Sequence, residues 1–327
     1  MNVLVLGGAG ELGSNFSKLC IEMGHKVTIV DLTRFLEAWR LNELGIHDKV
    51  VYRWGSTFDL TPNDLEETDI ILDCACQADR PLGTNAPKHT LMLNLLGPLS
   101  ILEVVKNAEV QPFLIYPSSS VEFLGVPKAE QPLTEFTRPK PTNLYGFTKW
   151  AAEELYLTYN RAHKIPCMII RTGSCYGPMM RTDQFIAQCI IKCLRGGEGV
   201  LVKSPDATRT YTYTGDVLEF YRLLLIKFEE DPCQFNGEVL SNGGNAENKP
   251  YTTFAVAEMI RKLTGGRNLL KRGDYEIGEM INGEPVFQWE TSTLASKRLG
   301  WKPQHTLEEG LKETVEWFRE FWFKDRY

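Results

Sequence analysis

Short apolar runs alternate with amphipathic stretches through the first half of the chain. Such runs are typical of buried parallel strands, because those strands are covered on both faces and need no alternation of polar residues. Repeated strand–helix alternation predicts an α/β fold, a doubly wound parallel sheet with helices on both faces. The predicted strands are residues 1–6, 26–30, 48–53, 69–73, 111–116 and 166–171, and the long predicted helices are 87–106 and 142–162.

The alternation becomes less regular after about residue 175. Glycine-rich segments at 196–199 and 241–245 separate shorter elements there. We therefore expect residues 1–175 to form a first domain, with a return segment near 210–228, and residues 176–327 to form mainly a smaller C-terminal lobe. Apolar spacing at 307–323 predicts an amphipathic terminal helix.

A glycine-rich turn follows the first predicted strand. Gly7, Gly10 and Gly13 are spaced three residues apart before a predicted helix, where backbone N–H groups can approach a pyrophosphate. Asp31 ends the second strand, roughly 20 residues later, where a carboxylate binds a ribose 2′-hydroxyl and repels a 2′-phosphate. The pattern predicts a Rossmann-type domain that binds NAD rather than NADP, although Arg34 is placed to accept a 2′-phosphate.

Tyr145 and Lys149 lie four residues apart in the predicted helix 142–162. That spacing places both side chains on one helix face, about 5–6 Å apart at Cβ. An ammonium beside a phenol favours the phenolate, so the tyrosine can act as a base near neutral pH. A serine at the carboxyl end of the fifth strand, such as Ser118, would polarise the same substrate oxygen.

These motifs, in this order, resemble those of the extended short-chain dehydrogenase/reductase family, the NAD-dependent sugar-nucleotide epimerases and dehydratases. The resemblance spans nearly the whole chain and includes a closing segment at 299–311. It implies NAD as cofactor, a nucleoside-diphosphate sugar as substrate and a substrate-binding C-terminal lobe. It also implies catalytic roles for Ser118, Tyr145 and Lys149, with Lys149 holding the nicotinamide ribose.

The resemblance assigns binding residues as well. In the family the catalytic serine or threonine stands three residues before a valine, and Val121 thereby selects Ser118 over Ser119. Lys203 is either a second diphosphate ligand or a solvated loop charge. The implied cofactor-binding residues are Gly7, Gly10, Glu11, Leu12, Asp31, Asp59, Leu60, Ala75, Cys76, Asn94, Tyr145 and Lys149, and the implied substrate-binding residues are Ser119, Ser174 and Arg209.

Several positions depart from the family pattern. Ser119 and Ser120 stand where family dehydratases carry the acids that protonate a leaving hydroxyl, which disfavours dehydration. Glu122 stands where a tyrosine often shapes the sugar pocket, and it is expected either near the substrate or in solvent. Ser174 replaces an asparagine. The nucleotide base, the sugar and the carbon acted on therefore stay open.

Three functions follow as hypotheses. The first is an epimerase of a nucleoside-diphosphate sugar, similar to UDP-hexose 4-epimerases, that acts through a transient keto intermediate. The second is a sugar-nucleotide ketoreductase or another NAD(P)-dependent dehydrogenase of the same family. The third is a non-catalytic dinucleotide sensor, against which the complete set of Ser118, Tyr145 and Lys149 counts.

Composition restricts the class of protein. The 327 residues are 43% apolar and 24% charged, as in an ordinary globular enzyme. The net charge of −6 argues against a nucleic-acid binder, and no apolar run reaches the ~20 residues of a membrane span. The opening apolar run is short and ends in glycines, unlike a secretory signal, so we expect a cytoplasmic protein.

The cysteines predict neither disulfides nor a metal site. None of the eight forms a C-x-x-C pair or lies near a histidine at ligand spacing. We expect buried, reduced thiols, with Cys175 as the exception beside the substrate. The helices 87–106 and 142–162 form the dimer interface in many family members, and the first is apolar on more than one face, which predicts a homodimer.

Overall fold

Strands and helices alternate along the first half of the chain, as the apolar pattern predicts. The computed structural model describes residues 1–196, 199–266, 269–276, 279–281 and 283–322. The strands are β1 (Asn2–Leu6), β2 (Lys26–Asp31), β3 (Val51–Trp54), β4 (Ile70–Asp73), β5 (Phe113–Ser119), β6 (Cys167–Thr172), β7 (Ser174–Tyr176), β8 (Val200–Val202), β9 (Thr208–Arg209), β10 (Tyr211–Tyr213), β11 (Val239–Ser241), β12 (Tyr251–Thr252), β13 (Leu270–Arg272), β14 (Met280–Ile281), β15 (Glu284–Pro285) and β16 (Phe287–Gln288).

Polar side chains cap the starts of four α-helices, those that begin at Arg80, Leu144, Thr253 and Leu307. Asn143 and Thr306, for example, each accept a hydrogen bond from a backbone N–H in the first turn of the helix that follows. The helices are α1 (Glu11–Glu22), α2 (Trp39–Glu43), α3 (Arg80–Asn85), α4 (Pro87–Leu91), α5 (Gly97–Lys106), α6 (Leu144–His163), α7 (Phe185–Arg195), α8 (Thr214–Glu230), α9 (Thr253–Leu263), α10 (Thr293–Leu299) and α11 (Leu307–Trp317).

The main sheet has seven strands in the order β11-β6-β5-β4-β1-β2-β3. The pairs β1–β2, β1–β4, β2–β3 and β4–β5 are all parallel. Strand order reverses at β1, and ligands bind at such a switch point beyond the carboxyl ends of the strands. Residues of α5 and α6, such as Leu102 and Tyr156, pack in one core with strand residues such as Leu4 and Leu114. The predicted Rossmann-type fold class is confirmed.

The predicted helix 87–106 is not uniform. A π-helical turn, Met92–Leu96, separates α4 from α5. Pro98, near the start of α5, lacks the N–H that would continue the α-helical ladder through this segment. The wider turn accommodates the missing donor and carries the buried Asn94.

The chain divides into two compact units. The first comprises Met1–Glu122, Pro141–Arg171 and Tyr221–Leu240, and the second comprises Phe123–Lys140, Thr172–Phe220 and Ser241–Tyr327. Compared with the boundaries expected from the sequence, the return segment lies later, at 221–240 instead of 210–228. In addition, residues 123–140 belong to the second unit. That the units bind cofactor and substrate, respectively, stays a prediction.

The second unit has its own core. Helices α7, α9 and α11 contribute Ile190, Ile260 and Leu311, and strands β8 and β10 contribute Val202 and Tyr211. The predicted terminal helix corresponds to α11 followed by a π-helical turn, Phe318–Trp322, and its last predicted residue lies outside the described residues. Residues 197 and 198 of the glycine-rich segment also lie outside them. Among the described residues, none of the helices combines the length and the apolar composition of a membrane-spanning segment.

Candidate active site

Close backbone approaches require the glycines between β1 and α1. Gly7 has a φ of +75°, and a Cβ on it would lie 2.9 Å from backbone atoms of Cys74 and Ala75. A Cβ on Gly13 would lie 2.5 Å from the Gly7 carbonyl oxygen. Gly10 precedes the first residue of α1 and provides no side-chain cap, so the start of the helix faces the glycine turn. The turn therefore fits the pyrophosphate of a dinucleotide.

Asp31 lies at the carboxyl end of β2, beside this turn. Its Oδ2 accepts from the Ala9 N–H at 2.9 Å, and its Oδ1 accepts from the Thr33 N–H at 2.8 Å. Each oxygen keeps a further lone pair for a ribose hydroxyl. The Arg34 guanidinium lies 5.8 Å from the Trp54 ring centroid, in a cation–π contact. The fixed carboxylate suits the 2′-hydroxyl of NAD better than a 2′-phosphate.

The first two residues of α1, Glu11 and Leu12, are half-buried at the same turn. Asp59 and Leu60 follow β3. The Asp59 carboxylate accepts from the Ser56 N–H at 2.8 Å and caps the 3₁₀ turn Thr57–Asp59. Leu60 is buried in the core of the first unit. Asp59 and Leu60 therefore have local structural roles. The contact of all four residues with a cofactor stays a prediction.

Asn94 holds the turn that follows β4. Its Oδ1 accepts from the Gln77 N–H at 2.7 Å, and its Nδ2 donates to the Gln77 carbonyl at 3.0 Å and to Thr148 Oγ1 at 3.2 Å. These bonds tie the turn to α6. Ala75 and Cys76 lie half-buried in this turn. Asn94 thus positions two predicted cofactor-binding residues, whereas its own contact with the cofactor stays a prediction.

Tyr145 and Lys149 lie in the first two turns of α6. Asn143 caps the helix by accepting from the Gly146 N–H at 2.8 Å. A Cβ on Gly146 would lie 2.8 Å from the Val121 carbonyl oxygen, so glycine lets α6 approach the turn after β5. Tyr145 is half-buried and Lys149 is 3% exposed. The structure thereby brings together, on one helix face, the two residues with the strongest predicted roles.

A stack of two tyrosines supports Lys149. The Lys149 Nζ lies 4.1 Å from the Tyr116 ring centroid, a cation–π distance. The rings of Tyr116 and Tyr156 are stacked with their centroids 4.8 Å apart. The Tyr156 hydroxyl in turn donates to Asp73 Oδ2 at 2.8 Å. The whole group is buried, which restricts the ammonium to a narrow range of positions.

Sequence reasoning missed Asp73. It ends the otherwise apolar strand β4, and the polar residue at the end of the run Ile70–Leu72 was the available signal. Burial raises the pKa of Asp73 to about 6, against the opposing effects of the Tyr156 hydrogen bond and the Lys149 charge. A buried carboxyl with a raised pKa that interacts with a predicted catalytic residue, here Lys149, is typical of functional sites.

Ser118 belongs to a buried ion cluster. Its hydroxyl donates to Glu122 Oε2 at 3.1 Å. The Arg171 Nε lies 3.0 Å from Glu122 Oε1, and the Arg171 Nη2 pairs with the Glu153 carboxylate on α6. Burial and the Glu153 carboxylate raise the pKa of Glu122 well above its usual range, although the Arg171 charge opposes the rise. Glu122 is buried, so it does not point to solvent, whereas its expected position near the substrate stays a prediction.

The cluster bears directly on the predicted catalytic serine. A hydroxyl has one proton to donate, and Ser118 directs it to Glu122. Ser119 is half-buried, and its Oγ accepts from the Val121 N–H at 3.3 Å. Ser120 is as buried as Ser118 and begins the 3₁₀ turn Ser120–Phe123, so the run offers a second candidate. The catalytic role of Ser118 stays a prediction.

The predicted substrate residues Ser174 and Arg209 lie in the second unit. Ser174 starts β7, which pairs in parallel with β10. Arg209, in β9, forms a buried ion pair with Glu279, so its charge is already balanced. Lys203 forms an exposed ion pair with Glu276 at 3.5 Å. Cys175 is half-buried, with its Sγ 3.3 Å from Thr214 Oγ1.

The sequence profile of the NAD-dependent epimerase/dehydratase family matches residues 3–236. The chain belongs to this family. Among curated members, the mouse dTDP-D-glucose 4,6-dehydratase is 27% identical over 97% of this chain and 88% of the relative. UDP-glucuronate 4-epimerase 4 of Arabidopsis thaliana is 24% identical over 100% of this chain and 77% of the relative. The solved UDP-glucose 4-epimerase of Thermotoga maritima, in a structure with UDP-glucose, superposes with a TM-score of 0.85 at 25% identity, covering 98% of this chain and 99% of that one.

Membership of the NAD-dependent epimerase/dehydratase family confirms the predicted resemblance, the NAD cofactor and an enzyme of the sugar-nucleotide type. The family includes both epimerases and dehydratases, so membership does not decide between these two activities. The glycine turn, the uncapped start of α1 and Asp31 fit the family cofactor in this chain.

Proposed function

We propose that this protein is an NAD-dependent epimerase of a nucleoside-diphosphate sugar, with an activity like that of UDP-hexose 4-epimerases. The carrying observation is the pair Tyr145 and Lys149 on one face of α6, with the lysine ammonium buried. Two of the relatives described above are epimerases of UDP-sugars, which supports this substrate class.

In the proposed reaction, Tyr145 transfers the proton and Lys149 provides the positive charge. As a phenolate, Tyr145 takes the proton of a sugar hydroxyl, and the Lys149 ammonium balances the phenolate charge. NAD, held by the glycine turn and Asp31, would supply a reversible hydride acceptor for the adjoining carbon, so that a keto sugar turned over in the site could regain hydride on its opposite face. Tyr145 returns its proton to the same oxygen. Because proton and hydride both go back, the sugar undergoes no net oxidation and the cofactor need not exchange.

The remaining site residues are proposed by role. Gly7, Gly10 and Asp31 would hold the pyrophosphate and a ribose, since the turn and the carboxylate are built for these groups. Ser119, Ser174 and Arg209 are proposed to contact the substrate. Arg209 would meet a diphosphate only by sharing its charge with Glu279.

The experiment is a screen of nucleotide sugars with no dinucleotide added, followed by identification of the product. Tyr145→Phe is expected to lower turnover by roughly 10²–10⁴-fold while NAD stays bound. Tyr159→Phe is the matched control on the same helix, because its hydroxyl bonds Glu103 on the protein surface. Near-normal turnover by Tyr145→Phe, or an equal loss in both variants, would contradict the assignment.

The state of the cofactor separates epimerase from reductase. The protein is denatured, and the released dinucleotide is quantified by absorbance and mass. Near-stoichiometric NAD supports epimerisation. An empty protein that consumes added NADH or NADPH steadily would instead favour the ketoreductase or dehydrogenase alternative, and its preferred form would test Asp31.

Dehydration is a second candidate because of Glu122. Ser119 and Ser120 supply no acid to the turn after β5, but Glu122 adds a carboxyl to it, with a pKa raised by burial. One relative described above is a dehydratase. A product lighter by one water in the same screen, lost in Glu122→Gln, would select this activity.

We also propose a homodimer formed by α4, α5 and α6. Met92, Leu96 and Phe147 in this region are 42%, 50% and 42% exposed, and such apolar side chains favour burial against a second copy. Light scattering should give the mass of a dimer at micromolar concentration, and Leu96→Glu should give a monomer. A monomeric mass of the unmodified protein would contradict the proposal.

A further inference from the structure

Asp73 is the one charged residue at the end of the apolar strand β4, and it is buried. Its Oδ2 accepts from the Tyr156 hydroxyl at 2.8 Å, and its Oδ1 accepts from the Ala75 N–H at 3.2 Å. Both donors are neutral. Among the described residues, no basic side chain lies within ion-pair distance of this carboxylate. A charge buried in this way is costly to keep and needs a reason beyond packing.

Lys149 is the charge that offsets Asp73. The two lie at opposite ends of one buried group, in which the Lys149 ammonium contacts Tyr116 and the Tyr156 hydroxyl contacts Asp73. The titratable groups that face Asp73 are Lys149 and Tyr156 from α6, Tyr116 from β5, and Cys74 and Cys76 from the turn after β4. Tyr116, Tyr156 and Cys74 all have a pKa raised by burial and stay neutral near pH 7. Asp73 and Lys149 are therefore the charged groups at the two ends of the stack, and Glu122, whose pKa is raised by burial, is a further carboxyl that faces Tyr116 and Lys149.

We propose that Asp73 is a positioning residue whose carboxylate, acting through Tyr156 and across the tyrosine stack, sets the pH at which Tyr145 titrates. The proposal rests on Tyr145 being the base of the proposed function. Nothing in the predicted chemistry of the site uses this carboxylate.

The sign of the effect follows from the charges. When Asp73 is ionised, its negative charge cancels part of the Lys149 field at Tyr145, so the phenolate is less favoured. When Asp73 takes a proton, the Lys149 charge acts on Tyr145 without that opposition. As pH falls, the loss of the Asp73 charge therefore helps Tyr145 to remain ionised, and the base is protected against mild acid.

The test is a titration of Tyr145 that needs no substrate. Phenolate absorbance in the ultraviolet is followed against pH for the purified protein and for Tyr145→Phe, and the difference reports Tyr145 alone among the 12 tyrosines. The same pair is then made with Asp73→Asn. We expect the midpoint of Tyr145 to move to lower pH by about one unit, from removal of one charge at protein dielectric.

Two further variants keep the result interpretable. Asp216→Asn removes a buried carboxylate of the second unit and is expected to leave the Tyr145 midpoint in place, even if it lowers stability. Tyr156→Phe removes the donor to Asp73 and makes its carboxylate harder to ionise, so a smaller shift in the same direction is expected. This variant also serves if Asp73→Asn does not fold.

Coincident curves for the protein and Asp73→Asn, or no shift in Tyr156→Phe, would reduce Asp73 to a structural hydrogen-bond acceptor. A Tyr145 midpoint near the ordinary value of about 10 in the unmodified protein would instead contradict the proposed base itself. The two failures are thus distinguishable.

Discussion

Two buried acidic centres lie at or just beyond the ends of the neighbouring strands β4 and β5, and their carboxyl groups have different partners. Asp73 contacts only neutral donors, and its compensating ammonium lies across two aromatic rings. Glu122 and Glu153 share direct contact with one guanidinium, that of Arg171. Neutral donors alone hold Asp73, whose pKa burial raises to about 6, whereas one guanidinium anchors the other two acids, and burial and Glu153 still raise the pKa of Glu122 well above its usual range. Direct contact with a cation therefore anchors a buried acid in the fold, but it does not keep the pKa of Glu122 low.

Of the variants that test this comparison, Arg171→Met should change the free energy of unfolding most. It leaves Glu122 and Glu153 facing each other without a cation, and breaking a buried ion pair costs about 3–5 kcal/mol in the free energy of unfolding. Urea denaturation at neutral pH measures the loss.

Arg161→Met is the matched control, because Arg161 lies on α6 in an exposed pair with Glu154 at 3.9 Å. Surface pairs are worth about 0–1 kcal/mol. Adding Glu122→Gln and Glu153→Gln to Arg171→Met should recover much of the loss. Equal losses in the two arginine variants would mean that the cluster does not hold this part of the fold.

Asp73→Asn should instead increase the free energy of unfolding at neutral pH. The folded-state pKa of about 6 lies above the ordinary value of 3.8, so the folded protein binds this proton more tightly than the unfolded chain. The carboxyl therefore increasingly opposes folding as pH rises between those two values. We expect equal stability of variant and protein below about pH 4, and a variant more stable by about 2–3 kcal/mol above about pH 6.

Denaturation midpoints measured across this pH range test the expectation. A stability difference that is independent of pH would show that Asp73 does not titrate between its two values. A variant that is less stable than the protein above about pH 6 would mean that the attraction between Asp73 and Lys149 outweighs the cost of burying the Asp73 carboxylate.

Ser118→Ala should have the smallest effect on stability. It removes one hydrogen bond to Glu122, worth about 1–2 kcal/mol. Ser120→Ala is the control within the same run. A loss of turnover of about 10²-fold or more in Ser118→Ala alone would support its predicted catalytic role. The same loss confined to Ser120→Ala would transfer that role by two residues.

Elements encoded in short windows were predictable from the sequence. The predicted strand 69–73 is β4, Ile70–Asp73, and the predicted helix 142–162 is α6, Leu144–His163. A continuous apolar run and a cap are local signals, so no distant contact is needed to place them. The glycine turn was predictable for the same reason, because the close approaches around Gly7 depend on glycine itself.

The environments of the acids were not predictable in this way. Glu122 meets Arg171 and Glu153 only when β6 and α6 pack beside the turn after β5, and nothing near Glu122 in the sequence announces those partners. Asp73 ends a strand as expected, but its pairing with Tyr156 depends on the register between α6 and the sheet. β11 escaped prediction because three residues carry too little periodicity to identify a strand.

On the ribosome, β11 emerges long after the strand that it must cover. It forms the edge of the seven-stranded sheet beside β6, whose residues Cys167 to Ile170 are fully buried in the finished protein. Because synthesis proceeds at roughly 5–20 residues per second, the edge of β6 that pairs with β11 stays unpaired for several seconds. Such an edge is a template for pairing with another nascent chain. The newly made protein is therefore expected to be most prone to aggregation, and most dependent on chaperones, during synthesis of the segment between these two strands.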